Sequence, residues 1–577
     1  MTGRIDLLVA ARRVIVQAGR RALPLETGGI LIGHRDGEDV IVTRAVEVPS
    51  LAATRRSYRL NHDQAEAALA TALRAHPRDA LAGYVGEWHT HPAAVGPSFI
   101  DRVSIASAAR KSTAPIALVV CHPAAQPRFW GLLPVACHGL TLGLSSVASM
   151  MDEIENRLGS LPPGAVRTSG PVFVSYRHND GAARARQLEQ LFRAAGLVVW
   201  RDQSDLRAGT TDDRLEIALT HGLSAATLVV TEDIANSDVI KERELPRLLQ
   251  LDEDPDFSLT IANEVSGAEG RPDYGAPDRL LGLSPERVLH DKKQSDSRTQ
   301  AGRLEIVRDL VAHRLETRRA DIIARGNKID VMIQTRPAPS AMDADLGADL
   351  HIRIPAPSGT RKVPARTSLQ ALQQTLPISS DASHATGAQT ISVRGGAHLS
   401  IALTLGAAFP ETQFAALEVI DRFGNLWSSQ ADGAVREIAE SDAPLANPVA
   451  NGPAAVAVAL TANPDTQAFD ALVAGGGFAA AVRLHLVNFA TLDADGGGPL
   501  AAELADRIKR IAREKGSSHV HLAFQGPFTM AVLLGRLLNT IRTVVYEWDD
   551  TTSPATYRPV VTLGLGYANS PIVAINA

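Results

Sequence analysis

Apolar positions along this chain follow two rhythms that change near residue 165. Before it, the short β-like runs DVIVTRAVEV and PIALVVCHP flank a helical segment, QAEAALATALRAH. A helix-like stretch, SSVASMMDEIENRLGSL, then leads to a break at Pro162, Pro163 and Gly164. Beyond it, GPVFVSY, GLVVW and ATLVVT are continuous apolar runs, as strands buried on both faces require. RARQLEQLFRAAG and TDDRLEIALTHGL lie between them with helical periodicity, the first closed by a glycine. That alternation predicts a doubly wound parallel sheet. The polar stretch from Ser266 to Gln300 predicts loop. After Asp330 the strand-like DVMIQT and DLHIRIP give way to LADRIKRIAREKG, VHLAFQGP, TMAVLLGRLLNTI and TVVYEW, again helix and strand in turn. The expectation is an α/β, multidomain chain in three blocks, residues 1–145, 165–320 and 328–577, with no short-period repeat.

Composition narrows what these blocks can do. Hydrophobic residues are 45% and charged residues 21% of the 577, so the chain has enough apolar surface for folded cores. A net charge of −5 excludes a chain-wide basic field, and an anionic ligand must be held by a local patch. Two cysteines, Cys121 and Cys137, cannot staple a chain this long, which points to a reducing, cytoplasmic setting. Asp6, Arg12 and Arg13 interrupt what would be the apolar centre of a signal peptide. The best membrane candidate, LVAGGGFAAAVRLHLV, is broken by Arg483 and His485, so no membrane partner is expected.

The run GEWHTHPAAVGPSFIDR places His89 and His91 two apart at the end of an apolar strand, where alternation puts both rings on one face. Asp101 can complete a three-ligand metal site with an open fourth position, and Glu26, in ETGGILIG, can take a proton from an activated water. The Glu, the His-x-His-Pro and the Ser-x-x-Asp together resemble the JAB/MPN family of zinc isopeptidases over roughly 130 residues. The resemblance implies an α+β zinc-hydrolase fold, Zn2+ on His89, His91 and Asp101, Glu26 as general base and Ser98 as oxyanion stabiliser. Its implied substrate is a ubiquitin-like or otherwise conjugated protein. His122 and His138 lack such company and read as structural.

VFVSYRHNDG followed by FRAAGLVVWRDQSDLRAG resembles the TIR family, which implies a flavodoxin-like parallel sheet. Ligands of open α/β sheets sit beyond the carboxyl ends of the strands, where Ser175, Tyr176, Arg177, Trp200 and Asp202 fall. Enzymatic members of that family cleave NAD+ at the nicotinamide–ribose bond with one glutamate, which would stabilise an oxocarbenium-like transition state. In ANSDVIKERELPRLL the matching residue is Glu244, with Glu242 as its rival; the family often has Trp where Ile240 stands.

In the third block SVRGGAHLSIALTLGAAFP, NLWSSQADG, HLAFQGPFTMAVLLGRLLNTIRTVVYEWDD and TYRPV resemble the SAVED domain. That resemblance implies two fused Rossmann-like halves that bind a cyclic oligonucleotide, with a cyclic trinucleotide favoured. Gly396, His398 and Ser400, and Gln525, Gly526 and Pro527, lie in glycine-containing turns after a strand and before a helix, whose N–H groups suit phosphate. Arg353, Arg361, Lys362 and Arg366 form the densest basic stretch, while Trp427, Tyr546 and Trp548 are candidates to stack bases. Taken together the blocks resemble an effector of the cyclic-oligonucleotide-based antiphage signalling systems (CBASS). That implies a partner nucleotidyltransferase, self-association on activation and destruction of NAD+.

Overall fold

In the computed structural model the described residues are 5–36, 39–50, 52–75, 82–111, 115–124, 127–133, 144–145, 147–148, 158, 160–201, 219–220, 222–267, 270–283, 288–336, 347–355, 363–488, 492–517, 519–551, 553–564 and 570–577. The chain divides into two compact units, Met1–Ala165 with Val230–Gln294, and Val166–Val229 with Ser295–Ala577. The block expected over residues 165–320 is thus shared between them.

The N-terminal sheet has eight strands: β1 (Ile5–Leu7), β2 (Gly28–Asp36), β3 (Asp39–Glu47), β4 (Gly83–Thr90), β5 (Ala117–His122), β6 (Arg128–Leu132), β7 (Leu144–Ser145) and β8 (Val147–Ala148). They lie in the order β7-β6-β5-β4-β2-β3-β1-β8. The helix Val9–Ala22 covers one face, where Ile5, Ile15, Leu31, Val42, Trp88 and Val119 form a buried core. Strand rather than helix at Ser145 and at Val147–Ala148 corrects the expectation there; residues 146 and 149–157 lie outside the described residues. The close approach of β2 to its neighbours depends on glycine. A Cβ on Gly29 would lie 1.9 Å from the Val46 carbonyl oxygen, and one on Gly28 would lie 2.5 Å from that of Trp88.

The apolar runs of the second block form the expected parallel strands: β9 (Val172–Tyr176), β10 (Val199–Arg201) and β11 (Ala225–Val230). β9 lies between the other two, with Phe173 opposite both Trp200 and Ala226. The helix His178–Ala194 connects β9 to β10 and is closed by Gly196 at φ +95°, a left-handed position that glycine adopts without strain. Two further strands, β12 (Ser258–Asn263) and β13 (Lys293–Asp296), follow. The Ser266–Gln300 stretch, expected as loop, therefore contains β13 and the short helix Ala276–Leu280, which corrects that reading.

Two sheets complete the second unit. The first contains β14 (Lys328–Gln334), β15 (Leu350–Arg353), β16 (Thr390–Gly396), β17 (Ala416–Ile420) and β18 (Leu426–Ser428) in the order β15-β14-β16-β17-β18. The second contains β19 (Ile438–Asp442), β20 (Ala454–Ala459), β21 (Ala480–Leu486), β22 (His519–Gln525), β23 (Arg542–Asp549), β24 (Thr556–Leu563) and β25 (Ile572–Ile575) in the order β19-β21-β20-β22-β23-β24-β25. Strands β21-β20-β22-β23-β24 repeat β15-β14-β16-β17-β18 strand for strand. In both, the first three pairings are parallel and the last is antiparallel.

The duplication extends to the helices. Leu399–Ala408 follows β16 and Phe528–Leu537 follows β22. A Cβ on Gly406 would meet the Val532 carbonyl at 1.9 Å, and one on Gly535 would meet the Leu403 carbonyl at 2.0 Å. Each glycine touches the residue three before its counterpart, the reciprocity of a pseudo-two-fold contact. The buried Arg314 guanidinium, on the helix Gln300–Thr317, ties the first half to the start of β9. It donates to the carbonyls of Gly170 at 2.7 Å, Asp349 at 3.2 Å and Ala348 at 3.3 Å.

Candidate functional site

The N-terminal site follows from sheet register. Gly28 of β2 pairs antiparallel with His89 of β4, and Gly29 with Trp88. Continuing that pairing two residues outward sets Glu26 opposite His91. Thr27 and Thr90 fasten the junction: the Thr90 N–H donates to the Thr27 carbonyl at 2.8 Å, and the Thr27 N–H donates to Thr90 Oγ1 at 3.0 Å. Asp101 arrives on the first turn of the helix Phe99–Lys111. That turn is held by a reciprocal cap, Ser98 N–H to Asp101 Oδ2 at 2.6 Å and Asp101 N–H to Ser98 Oγ at 3.2 Å.

Three potential ligand residues converge there. His89 Nε2 and His91 Nε2 are 3.1 Å apart, His89 Nε2 is 3.4 Å from Asp101 Oδ1, and His91 Nε2 is 3.7 Å from Asp101 Oδ2. A tetrahedral zinc with ligand bonds near 2.0–2.1 Å has ligand–ligand edges of about 3.3 Å, so the donor set fits the metal. Among the described residues this is the one group of three or more potential ligands close enough to share an ion. His91 Nδ1–H donates to the Val95 carbonyl at 3.1 Å, which leaves its Nε2 lone pair facing the group. Glu26 Oε1 is 4.0 Å from His91 Nε2, and Glu26 and both histidines are buried.

Burial raises the Glu26 carboxyl above its ordinary value, with His89 opposing the rise. Burial also acts to raise Asp101, but hydrogen bonds from His89 and Ser98 and the charge of His89 outweigh it and hold the carboxyl at about 2. His91 is lowered by burial and by His89. His122, read as structural, donates its Nδ1–H to the His91 carbonyl at 3.1 Å. Cys121 is buried and its thiol is pushed up to about 12, so it is no nucleophile at neutral pH. His138 and Cys137 lie outside the described residues.

In the C-terminal halves a cavity of about 310 Å³ is lined by Arg336, Asp465, Gln525, Gly526, Tyr546, Glu547 and Trp548, among others. Of the residues expected to meet a cyclic nucleotide, Gln525, Gly526, Tyr546 and Trp548 line it. Gly396, His398, Ser400 and Pro527 do not. His398 is buried against Thr335, its Nδ1 2.8 Å from Thr335 Oγ1. Trp427 is buried on β18 and donates to Asp421 Oδ2 at 3.1 Å. Arg366 donates to the carbonyls of Ile575 and Ala577, Arg353 sits on β15, and Arg361 and Lys362 lie outside the described residues. The arginine that lines the cavity is Arg336, isolated in sequence between Thr335 and Pro337 and so invisible to a search for basic runs.

The N–H groups expected to hold phosphate after GGAH are already engaged. Leu399 N–H donates to Glu547 Oε1 at 3.3 Å and Ser400 N–H to Glu547 Oε2 at 3.0 Å.

In the middle segment Ser175 and Tyr176 are buried at the carboxyl end of β9, Arg177 occupies the position just before the next helix, and Trp200 is half-buried on β10. Asp202 lies outside the described residues. Glu244 is buried at the end of a π-helical turn, Ile240–Glu244, that runs into the helix Leu245–Leu251, while Glu242 is exposed. A π turn inside a helix is uncommon and is found preferentially at functional positions.

Two family models match the chain. Residues 8–133 match the prokaryotic homologs of the JAB domain, and residues 371–563 match SAVED, the SMODS-associated and fused to various effectors sensor domain. The chain carries a JAB domain at its N-terminus and a SAVED domain at its C-terminus. Neither match includes residues 134–370. Among solved structures, the SAVED/CARF-domain containing receptor Cap4 of Acinetobacter baumannii with the cyclic trinucleotide 2'3'3'-cAAA matches at 14% identity and TM-score 0.35, covering 68% of this chain and 99% of that chain. Cap4 of Moraxella osloensis matches at 13% identity and TM-score 0.31, covering 66% and 98%. A protein of Desulfitobacterium hafniense matches at 22% identity and TM-score 0.19, covering 25% and 92%. Likenesses this weak carry no argument by themselves. No curated protein matches the chain. Among the described residues no helix is long and apolar enough to cross a membrane.

Proposed function

We propose that the chain is a ligand-controlled effector of antiphage signalling whose N-terminal JAB domain is a zinc-dependent amide-bond hydrolase and whose SAVED domain binds a cyclic oligonucleotide. The observation that carries the hydrolase is the cluster of His89, His91 and Asp101, with donor separations of 3.1, 3.4 and 3.7 Å, beside the buried carboxylate of Glu26. Zinc at such a site polarises a carbonyl and lowers the pKa of water. Glu26 takes the proton from the attacking water and returns it to the leaving amine. The Ser98 hydroxyl accepts from the Asp101 N–H and keeps its own O–H to donate to the oxyanion. Thr27 and Thr90 hold the base against the ligand strand, so the site is assembled before substrate arrives.

The ligand class rests on the SAVED match and on the cavity between the duplicated halves. A partner nucleotidyltransferase would supply the ligand, and the substrate expected of the JAB domain is a ubiquitin-like protein or its conjugate. The test is cleavage of a ubiquitin-like protein joined to a lysine side chain, with and without cyclic tri-AMP. Glu26→Gln should reduce the rate by about 10²-fold or more. Cleavage by wild type and variant at equal rates would refute the base assignment.

Cleavage of NAD+ by the middle segment is a second reading, favoured by the burial of Glu244 at the π turn. In it Glu244 stabilises the ribosyl cation as nicotinamide leaves, and self-association of the middle segments is needed for activity.

A further inference from the structure

The duplicated halves use one pair of equivalent acidic residues differently. Ser400 and Thr529 are equivalent second residues of the two dyad-related helices, and Arg394 of β16 is equivalent to Ala523 of β22. Arg394 pairs with Ile420 on β17, and Ala523 pairs with Tyr546 on β23. The next residue along is Asp421 in the first half and Glu547 in the second. Asp421 turns back into its own β-turn, accepting from the N–H groups of Phe423 at 2.8 Å and Asn425 at 2.9 Å, from Asn425 Nδ2 at 3.0 Å and from Trp427 Nε1 at 3.1 Å. Glu547 instead reaches across the dyad and caps the helix of the other half.

Glu547 is 4% exposed, and each carboxylate oxygen accepts an N–H from the first turn of the helix Leu399–Ala408. Arg336 Nη2 stands 3.5 Å from Oε1. The same carboxylate lines the 310 Å³ cavity together with a second acid, Asp465. A carboxylate therefore holds the donors that a phosphate oxygen would use at a helix N-terminus, in the cavity assigned to an anionic ligand.

We propose that Glu547 is an internal anion that stands in for phosphate at the first-half helix and holds down the affinity of the cavity for cyclic oligonucleotides. The inference rests on the sensor reading above. A ligand phosphate can bind near that helix only against the charge of Glu547 or after displacing it, so the carboxylate sets the ligand concentration at which the sensor responds. Asp421 has no such part, because its carboxylate is spent within its own turn.

The test uses the full chain and cyclic tri-AMP by calorimetry. Glu547→Gln keeps the shape and one acceptor oxygen but removes the charge, and should bind at least tenfold tighter. Glu547→Asp keeps the charge and should stay within about threefold of wild type, as should Asp421→Asn. If wild type binds and Glu547→Gln binds equally or more weakly, the internal-anion role is overturned while the sensor stands. If neither protein binds any cyclic di-, tri- or tetranucleotide, the sensor reading fails and takes this inference with it. Amide exchange in ligand-free wild type gives a reading that does not depend on the variant folding. Leu399 and Ser400, on a helix end whose N–H groups would otherwise be unbonded, should exchange slowly because Glu547 holds them. Fast exchange at both would contradict the proposal.

Discussion

Gly406→Ala tests how tightly the two SAVED-domain halves pack across their pseudo-two-fold contact. The added Cβ would sit 1.9 Å from the Val532 carbonyl oxygen and 2.9 Å from the Arg536 amide nitrogen. A carbon–oxygen contact needs more than 3 Å, and both obstacles are main chain, so the helices must separate by about 1 Å. Overpacking of this kind costs about 3 kcal/mol where nothing can rotate away. Alanine recovers about 1 kcal/mol over glycine in a helix interior, leaving a net loss of about 2 kcal/mol. Amide exchange on the full chain reads this locally, which matters in a multidomain protein that need not unfold in one step. Exchange across Leu399–Ala408 and Phe528–Leu537 should accelerate by roughly thirtyfold in globally protected amides. Unchanged or slower exchange in both helices would show that the close contact, and the pseudo-two-fold packing derived from it, are wrong.

Three further outcomes follow from named contacts. Arg314→Leu strips donors from the carbonyls of Gly170, Asp349 and Ala348 and should destabilise the second unit by about 3 kcal/mol in urea unfolding. His521 is held down to about 4, by burial and then by His519, against 6.5 when unfolded, so the unfolded chain takes up a proton that the folded one refuses. Stability should therefore fall as pH drops from 6.5 toward 4 and level off below, and His521→Gln should flatten that slope in melting scans. If the proposed second reading holds and the middle segment cleaves NAD+, Glu244→Gln should abolish nicotinamide release with ligand present while Glu242→Gln retains it; the reverse pattern would move the proposed role by two residues.

The convergence of His89, His91 and Asp101 was legible in sequence because it is built from short spacings. His-x-His on a strand and Ser-x-x-Asp at a helix start each bring their groups together within a few residues. Only the placing of Glu26 needed long-range register, and the two glycines beside it mark where that register must be close. The sensor was less legible. Its halves share a topology but little sequence, HLSIALTLG against PFTMAVLLG, so the duplication emerges from strand order and from the reciprocal Gly406 and Gly535 contacts. Arg336 and Glu547 act through partners more than 50 residues away, and no local pattern marks them. Ser145, Val147 and Ala148 misled for the opposite reason. Their spacing suits a helix, yet the sheet recruits them as edge strands.

A catalytic zinc on His89, His91 and Asp101 is the core of the proposed hydrolase. Titrating zinc into metal-stripped full-length protein, with metal content measured after dialysis, tests it most directly. About one tightly held zinc per chain is expected, lost in His89→Ala and His91→Ala and retained in Glu26→Gln, which lies outside the three proposed ligands. Wild-type protein that takes up no zinc, or histidine variants that take it up as well as wild type, would contradict it.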